Sequence, residues 1–568
     1  MTTERRTIVI VGGVAGGASA AARARRMDES AEIIMLEKDQ HVSFANCGLP
    51  YYIGGEIPNR DSLLIASPER FCDWFRVDAR TCNEALAIDR EQQTLNVWDR
   101  AADRCYDQPY DRLILAPGAT PIVPPFAGSN APNVFTLRNV ADTDGIKSFI
   151  DSKHPRRAAV VGAGYIGLEM VEMLHGLGIE VTLIELMEQV MPIMDPDMAG
   201  MVESELARQG IDVRLGNGLA GFSSSMASPS DNPPVDRVHL QDGSSVDVDM
   251  AILGIGVKPH TSLAERSNLE IGPSGGIAVN NRMQTSDPTI YAVGDAVEYS
   301  HGVTGQPARV PLAGPANRAG RIAGEHAARD DAPAMAPVFG TAIVRVFDTT
   351  AAMTGLSEQQ AADQGYDAQA VWVPAKHHAG YYPGAETMTV KLVFARGDGR
   401  VLGAQVVGGA GVDKRIDVLA SALYFRATVD DLASLDLAYA PPFGAAKDPI
   451  HLAAFVAQNV HSGMDREVPP YVTTGVDGYD GDVQWLDVRD PDEWGSGCLE
   501  DAIRIPLGEL RERLNELDPN RPVVTVCGIG QRAYFATRLL RQQGFSQVAT
   551  LSGGMMMQRA AATRTVAS

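Results

Sequence analysis

Two of the six cysteines stand in settings that suit thiol chemistry. Cys47 lies in Ser43-Phe44-Ala45-Asn46-Cys47-Gly48-Leu49-Pro50-Tyr51-Tyr52, and Cys527 opens the glycine-rich run Cys527-Gly528-Ile529-Gly530-Gln531-Arg532. A lone nucleophilic thiolate can attack a sulfur–sulfur bond and hold one half of it as a mixed disulfide until electrons arrive. Ser43 and Asn46 place hydrogen-bonding side chains beside Cys47, and a helix N-terminus next to it would lower its pKa. Cysteines occur at 47, 72, 82, 105, 498 and 527, with no two within four residues. That spacing builds neither a zinc clip nor a Cys-x-x-Cys pair, so no metal site is expected. It fits catalytic thiols in a reducing compartment better than a disulfide framework.

Two glycine loops could hold nucleotides. Residues 7–11 read as a β-branched strand, followed by Gly12-Gly13-Val14-Ala15-Gly16-Gly17, an Ala-rich helix to Met27, and a strand 33–36 ending at Glu37 and Lys38. Backbone N–H groups of such a loop can approach a pyrophosphate while the following helix points its positive end at the anion. Glu37 is placed to accept hydrogen bonds from an adenosine ribose. Val14 takes the middle glycine position of the usual pattern, with Gly13 and Gly16 keeping the backbone open. The pattern recurs as strand 158–161, Gly162-Ala163-Gly164-Tyr165-Ile166-Gly167, a helix to Leu177 and a strand ending at Glu185. Glu185 would repel a 2′-phosphate, and Leu186 and Met187 offer no cation to bind one, so NADH is expected over NADPH.

Elements able to position these residues need several domains, because 568 residues exceed what one core supports. The net charge of −22 argues against general affinity for nucleic acid or anionic membrane, so an anionic substrate would need local cations. No apolar run reaches the length of a membrane span and the N-terminus leads straight into a strand, which reads as cytoplasmic. Strand 289–292 ends in Gly294-Asp295, and 223–235 reads as a polar surface loop. From about Val338 strand-like stretches (388–395, 402–408) precede helical ones (413–426, 450–460), an α+β texture. A polar stretch from 461 is the expected linker to a small α/β domain with strands at 484–488 and 523–527.

Two dinucleotide units, a single redox Cys47 and the Gly294-Asp295 strand together resemble the flavoprotein disulfide reductases over roughly residues 7–455. The resemblance implies an α/β fold with two Rossmann-like domains: FAD-binding, 1–115 and 256–332, and NAD-binding, 116–255. An α+β dimerisation domain, 333–460, a linker, 461–475, and a C-terminal domain, 476–568, complete the chain. It also implies that Asp295 bonds the ribityl–phosphate region of FAD. Two-cysteine members carry a partner five residues after the first cysteine, and here that position is Tyr52. The chain is therefore similar to the single-cysteine branch of CoA-disulfide reductases, NADH oxidases, NADH peroxidases and persulfide reductases. Val14-Ala15 replaces the His usual in oxidases and peroxidases, which favours the coenzyme A-linked group.

In that group the first helix contributes to the coenzyme A pocket, which makes Arg23 and Arg26 candidates for its phosphates, with Arg80 and Lys447 weaker ones. Tyr381 (in His377-His378-Ala379-Gly380-Tyr381-Tyr382-Pro383-Gly384) and Tyr439 (in Tyr439-Ala440-Pro441-Pro442-Phe443) resemble tyrosines that reach a partner's active site across a homodimer. A phenol there can protonate a leaving thiolate. His377 and His378 lack metal-ligand spacing and read as polar side chains facing solvent.

Residues 486–494 and the Cys527 loop resemble a single-domain rhodanese, in which loop N–H groups converge on the sulfur, Arg532 adds positive charge, and a helix begins near Tyr534. Gly497-Cys498-Leu499 replaces the usual Gly-His-Ile. The whole chain thus resembles CoA-disulfide reductase–rhodanese fusions, which implies NADH-dependent reduction of coenzyme A persulfide, polysulfide or coenzyme A disulfide. The alternatives are an NADH oxidase or peroxidase on the same fold and a persulfide-carrying redox sensor.

Overall fold

The computed structural model describes residues 5–225, 233–472, 476, 482–499 and 501–562. Its contacts divide the chain into one unit of residues 1–186 with 212–340 and another of 187–211 with 341–568.

Two parallel sheets organise the first unit. In the first, Ile290–Ala292, Arg112–Leu115, Thr7–Val11, Glu32–Leu36 and Val77–Arg80 lie side by side in that order. The second runs Asp212–Arg214, Glu180–Ile184, Arg157–Val161, Met250–Leu253 and Val134–Phe135. Ile8, Val9, Ile10, Leu113 and Ile114 are all fully buried. Strands covered on both faces read as continuous apolar runs rather than alternating ones, which is why both glycine loops follow such runs. Each central strand ends at its glycine loop, so both loops sit at the carboxyl edge of a sheet, where open α/β sheets bind ligands. Antiparallel three-stranded sheets flank each: Asn83–Asp89, Thr94–Asp99, Arg104–Pro109 and Leu219–Ser223, Arg237–Leu240, Ser245–Asp247. The polar loop expected over 223–235 lies largely outside the described residues.

The helix Ala15–Met27 packs on the helix Ala313–Arg329 through small residues. A Cβ on Gly320 would overlap the Gly16 carbonyl oxygen, and one on Gly324 would overlap that of Ala20. Ala20, Ala24, Ala319 and Ala323 are fully buried along the same seam. The Ala- and Gly-rich composition of both helices is what this approach of backbones requires.

In the second unit a five-stranded antiparallel sheet orders Ala342–Val346, Thr349–Gly355, Val401–Gly408, Thr387–Ala395 and Ala368–Lys376. The helices Val412–Tyr424 and Pro449–His461 pack against it. A smaller parallel sheet orders Glu467–Val468, Val548–Leu551, Val523–Val526, Gln484–Asp487 and Ile503–Arg504. Two boundaries differ from the sequence reading. Glu467–Val468, inside the stretch taken as linker, is an edge strand of the small sheet, because its backbone pairs with Thr550 and Leu551. Residues 187–211, placed by pattern with the second dinucleotide unit, belong with the second unit.

The physical reason for the second difference is a buried ion cluster. Lys391 Nζ lies 2.9 Å from Asp195, 3.1 Å from Asp197 and 2.9 Å from Glu358, with Lys391 itself 1% exposed. Desolvation would drive the ammonium to neutrality, but the three carboxylates outweigh it and hold its pKa above the ordinary value. Asp195 also caps the turn at 358–359 through two backbone N–H groups, at 2.9 and 3.2 Å. A buried pair is weak support for stability as a whole, yet removing one partner leaves uncompensated charge.

Two stability outcomes follow. Gly320→Ala is expected to lower the stability of the first unit by about 1–3 kcal/mol through forced separation of the two helices. Lys391→Met should destabilise the second unit by about 3–5 kcal/mol because three carboxylates lose their cation. Denaturant midpoints with fluorescence detection check both.

Candidate functional site

The first glycine loop turns immediately after the strand Thr7–Val11. Gly12 has φ +95°, and a Cβ there would overlap the Ala116 carbonyl oxygen, while a Cβ on Gly17 would overlap that of Gly12 itself. Only glycine satisfies both positions. The helix Ala15–Met27 starts without a side-chain cap, leaving its first N–H groups for an external anion. Glu37 is buried at the end of the next strand. Its Oε2 accepts the Gly13 N–H at 2.8 Å and its Oε1 accepts the Asp39 N–H at 3.0 Å. Burial pushes this carboxyl up, with the two N–H bonds opposing, and a carboxylate with two bonds made keeps acceptor capacity for ribose hydroxyls. Lys38 beside it is exposed.

The second loop repeats the construction. Gly162 and Gly167 are each closed to a Cβ by backbone, but a Cβ on Gly164 would meet only open space, the room a pyrophosphate needs. Glu185 Oε2 accepts the Ala163 N–H at 2.7 Å, the counterpart of the Glu37–Gly13 bond. The buried Tyr165 hydroxyl in this loop has no hydrogen-bond partner among the described residues. Leu186, just beyond Glu185, is 59% exposed, and Arg214 on the adjacent strand is tied to Asp212 at 2.9 Å. Both loops therefore fit dinucleotides, and the second disfavours a 2′-phosphate.

Cys47 sits in a single 3₁₀ turn, Asn46–Gly48, that leads into the short helix Leu49–Ile53. The thiol loop hangs from the first nucleotide loop, since the Ser43 N–H donates to the Gly13 carbonyl at 2.8 Å. It is braced on its other side by Ala45 N–H to Leu63 O, 2.7 Å, and Ile65 N–H to Ser43 O, 2.9 Å. The thiol is exposed, yet its pKa is raised: partial desolvation comes first, then the carboxylates of Glu169 and Asp295, with Arg138 opposing. This corrects the expectation of a helix-lowered thiol. The helix beside Cys47 has only five residues, too short for its dipole to outweigh desolvation and two nearby acids.

Asp295 pairs with Arg138 at 2.8 Å, and Glu169 accepts the Tyr51 hydroxyl at 3.1 Å. Arg138, Glu169 and Tyr51 were not singled out by sequence reasoning. Arg138 lies 157 residues from Asp295, and no local spacing could join them. Glu169 did carry a signal: it stands two residues past Gly167, one turn into the helix Tyr165–Gly176.

The cations expected to meet coenzyme A phosphates fall into distinct environments. Arg23 is held by Glu325, with Nε at 2.8 Å, so its charge is already balanced. Arg26 is exposed and, among the described residues, bonds its own helix at the Ala22 carbonyl, 2.9 Å. Their neighbour Arg25 is buried and bonds the carbonyls of Phe75, Arg76, Asp28 and Glu29, a structural anchor for the helix end. Arg80 is committed to Asp78, Tyr106 and Gln108. Lys447 is exposed.

Within the second unit, Tyr381 and Tyr439 are 77% and 48% exposed and their hydroxyls lie 3.1 Å apart, so two residues 58 positions apart converge. Phe443 and Phe425 are exposed on the same unit, at 74% and 78%. Of the two histidines expected to face solvent, His378 is instead buried, its Nδ1 at 3.0 Å from the Ala379 carbonyl and its ring packed on those of His377 and Tyr382. Among the described residues no cluster of three potential ligands could hold a metal.

Cys527 follows the strand Val523–Val526 and is 1% exposed. Its carbonyl accepts the Met555 N–H at 2.8 Å, and the Gly528 carbonyl accepts the Met556 N–H at 3.0 Å. The helix beyond the loop begins at Gln531, three residues earlier than expected, after Gly530 turns at φ +94°. Arg532 does not offer a free charge: both its Nη atoms reach Glu493 at 2.6 Å and one reaches Asp490 at 2.9 Å. Cys498 accepts from Arg489 Nη2 at 3.3 Å and donates to the Trp494 carbonyl at 3.3 Å.

Comparison with known proteins agrees with this anatomy. The family model for pyridine nucleotide-disulphide oxidoreductases matches residues 6–319, that for their dimerisation domain 341–449, and that for a rhodanese-like domain 478–557. A coenzyme A disulfide reductase of Staphylococcus haemolyticus is 37% identical over 455 residues, covering 80% of this chain and 100% of the relative. The reduced CoADR-RHD of Bacillus anthracis superimposes with a TM-score of 0.92 at 42% identity, covering 99% of both chains. A NAD-dependent persulfide reductase from A. fulgidus follows at 0.89 and 38%, covering 97% of this chain and 99% of the other. With its two dinucleotide loops flanking a lone thiol, the chain belongs to the pyridine nucleotide-disulphide oxidoreductase family.

Proposed function

We propose that this protein uses NADH to reduce sulfur–sulfur bonds of coenzyme A disulfide, coenzyme A persulfide or polysulfide at Cys47, and that Cys527 carries sulfane sulfur. The observation that supports the reading is a single thiol whose segment hangs from the first glycine loop by the Ser43–Gly13 bond and whose ionisation responds to Glu169, on the helix that follows the second loop. Tyr52 stands where a resolving cysteine would be, so the sulfur partner must come from the substrate.

The Cys47 thiolate attacks one sulfur of a disulfide, forming a mixed disulfide and expelling a thiolate that takes a proton. With a coenzyme A persulfide, attack on the sulfur bonded to the carrier expels hydrosulfide instead. The two electrons of NADH then release the second thiol and return Cys47 to its thiolate. Gly12, Gly13, Gly16, Gly17, Glu37 and Asp295 are the residues that would hold FAD, which when bound would supply the two-electron carrier between nicotinamide and sulfur. Gly162, Gly164, Gly167 and Glu185 would hold NADH, and Lys38 and Gly294 would contribute to the flavin site. Ser43 and Asn46 orient the substrate, while Arg26 and Lys447, both exposed, are cations left open for coenzyme A phosphates among the described residues.

A second copy of the chain completes the site in this reading. Tyr381 and Tyr439, which meet each other, and Phe425 and Phe443 elsewhere on the same unit are exposed aromatics of the kind that association covers. Tyr439, hydrogen-bonded to Tyr381, is the proton donor to the leaving thiolate across that homodimer. All six cysteines are free, consistent with a reducing, cytoplasmic location.

Cys47→Ser is expected to lower anaerobic, NADH-dependent reduction of coenzyme A disulfide and persulfide by at least about 1000-fold, as loss of a covalent nucleophile does. Cys527→Ser should leave disulfide reduction within about twofold while abolishing sulfur transfer from thiosulfate to cyanide. Stopped assays of NADH, thiol, sulfide and thiocyanate separate these results. Turnover of neither coenzyme A substrate by the wild type would reject the reading.

The electrostatics give a pH outcome. Glu169 and Asp295 favour the neutral thiol, so Glu169→Gln should move Cys47 ionisation to lower pH and speed its alkylation at pH 8 by about threefold or more. Arg138→Gln should do the reverse, because it removes the opposing cation. Iodoacetamide modification of the Cys47 peptide, followed by mass spectrometry across pH 6–10, reads both shifts.

A further inference from the structure

The second unit contains a polar contact that the reduction of sulfur bonds at Cys47 does not require. Ser552 is fully buried at the end of the strand Val548–Leu551. Its Oγ accepts the backbone N–H of Trp372, 3.0 Å away on the edge strand of the antiparallel sheet. The same Oγ donates to the carboxyl of Glu467, on the edge strand of the small parallel sheet. One hydroxyl therefore joins the two sheets of this unit.

Trp372 is itself immobilised. Its Nε1 donates to Asp197, Lys391 Nζ lies 4.5 Å from its ring centre, and the Tyr471 ring meets it edge-on at 6.3 Å. On the other side, Ser552 is followed by Gly553 and Gly554, which press directly on the Cys527 loop. A Cβ on Gly554 would overlap the Cys527 carbonyl oxygen, and the next N–H groups, of Met555 and Met556, hold the carbonyls of Cys527 and Gly528. The path from the ion cluster to the sulfur loop is thus contiguous: Lys391 and Asp197, Trp372, Ser552, the Gly553-Gly554 turn, Cys527.

We propose that Ser552, clamped between Trp372 and Glu467, is a positioning residue that sets the geometry and accessibility of the Cys527 loop by docking it on the antiparallel sheet. The proposal rests on the reading of Cys527 as a sulfur-carrying thiol only for its functional consequence. Its structural content, control of Cys527 by the docking contact, stands apart from that reading.

The chemistry of Glu467 makes the clamp responsive to proton concentration. Burial first, and then the neighbouring Asp465, push its carboxyl up to about 8. Asp465, two residues before that strand, is itself pushed up to about 6 by burial, with the Arg466 N–H, the Thr550 hydroxyl and the cations Arg541 and Arg538 of the helix Gln531–Gln542 opposing. Across Trp372 the charged groups are Lys391, Asp195, Asp197 and Glu358, with Tyr471 beside them. An undocked Glu467 titrates near 4.5 and the docked one near 8, so the docked state binds the extra proton between those values. Docking is therefore at full strength below about 4.5, weakens as pH rises, and reaches its floor above about 8.

The test uses the full-length flavoprotein and reads Cys527 directly, as the rate of its alkylation by iodoacetamide measured on the isolated peptide. Because Cys527 is buried, this rate reports loop opening as well as ionisation. Ser552→Ala leaves the Trp372 N–H and the Glu467 carboxyl buried without their partner. It is expected to raise Cys527 alkylation at pH 7 by about tenfold and to lower thiosulfate–cyanide sulfur transfer several-fold, while Cys47 alkylation stays within about twofold of wild type. Glu467→Gln preserves a neutral acceptor for the Ser552 hydroxyl. The wild-type to Glu467→Gln ratio of Cys527 rates, in which the thiol's own titration cancels, should climb between pH 5.5 and about 8 and stay flat beyond. Wild-type alkylation in Ser552→Ala, or a ratio that does not change with pH, would overturn the proposal. If wild type transfers no sulfur but the alkylation results hold, the docking control stands and the sulfur-carrier reading of Cys527 fails.

Discussion

The backbone hydrogen bond from Ser43 N–H to the Gly13 carbonyl joins the two halves of the reaction before any side chain takes part. Gly13 belongs to the loop that closes on itself only because Gly12 and Gly17 lack Cβ atoms, and Ser43 opens the segment that carries Cys47. The position of the thiol is thereby referred to the nucleotide loop and not to a flexible surface turn. The close Gly320–Gly16 and Gly324–Ala20 approaches hold the following helix at the depth this requires. Much of the first unit can be understood as support for that one junction.

Electrostatics at the two thiols follow different designs. Cys47 is surrounded by groups that disfavour its anion, Glu169 and Asp295, against the opposing charge of Arg138. Such a thiol is quiet until a neutralising ligand or a shifted proton favours ionisation, which suits a site exposed to small electrophiles. Cys527 is instead secluded by packing, under the carbonyl–N–H bonds from Met555 and Met556. Its Arg532 is neutralised by Glu493 and Asp490, so the loop is held by hydrogen-bond geometry more than by a free cation.

The second unit shows how an acidic chain can bury charge without collapse. Lys391 gathers three carboxylates, and Trp372 extends that cluster to the sheet edge where Ser552 and Glu467 meet it. A network of this kind specifies one register of packing, because any other leaves several ionised groups unpaired. It explains why residues 187–211, next to the second nucleotide unit in sequence, are held with the second unit.

Local chemistry was enough to reveal the nucleotide loops, the terminal acids Glu37 and Glu185, the lone thiol and the cysteine loop near the C-terminus. Each depends on a short run in which glycine placement, strand periodicity and one polar residue are constrained together, and all of that is written within about thirty residues. Long-range pairings were not legible in the same way. Arg138 with Asp295, Tyr51 with Glu169, Tyr381 with Tyr439 and Lys391 with its carboxylates join segments whose separations carry no pattern. The charge state of the candidate cations was hidden for the same reason: Arg23 and Arg532 look available in sequence and are balanced by Glu325 and Glu493 in the fold. The sequence by itself determined which backbone loops could form, since those obey local sterics. Only the tertiary structure decided which charges remain open and which way the Cys47 pKa moves, because desolvation and Coulomb interactions depend on distance in space and not along the chain.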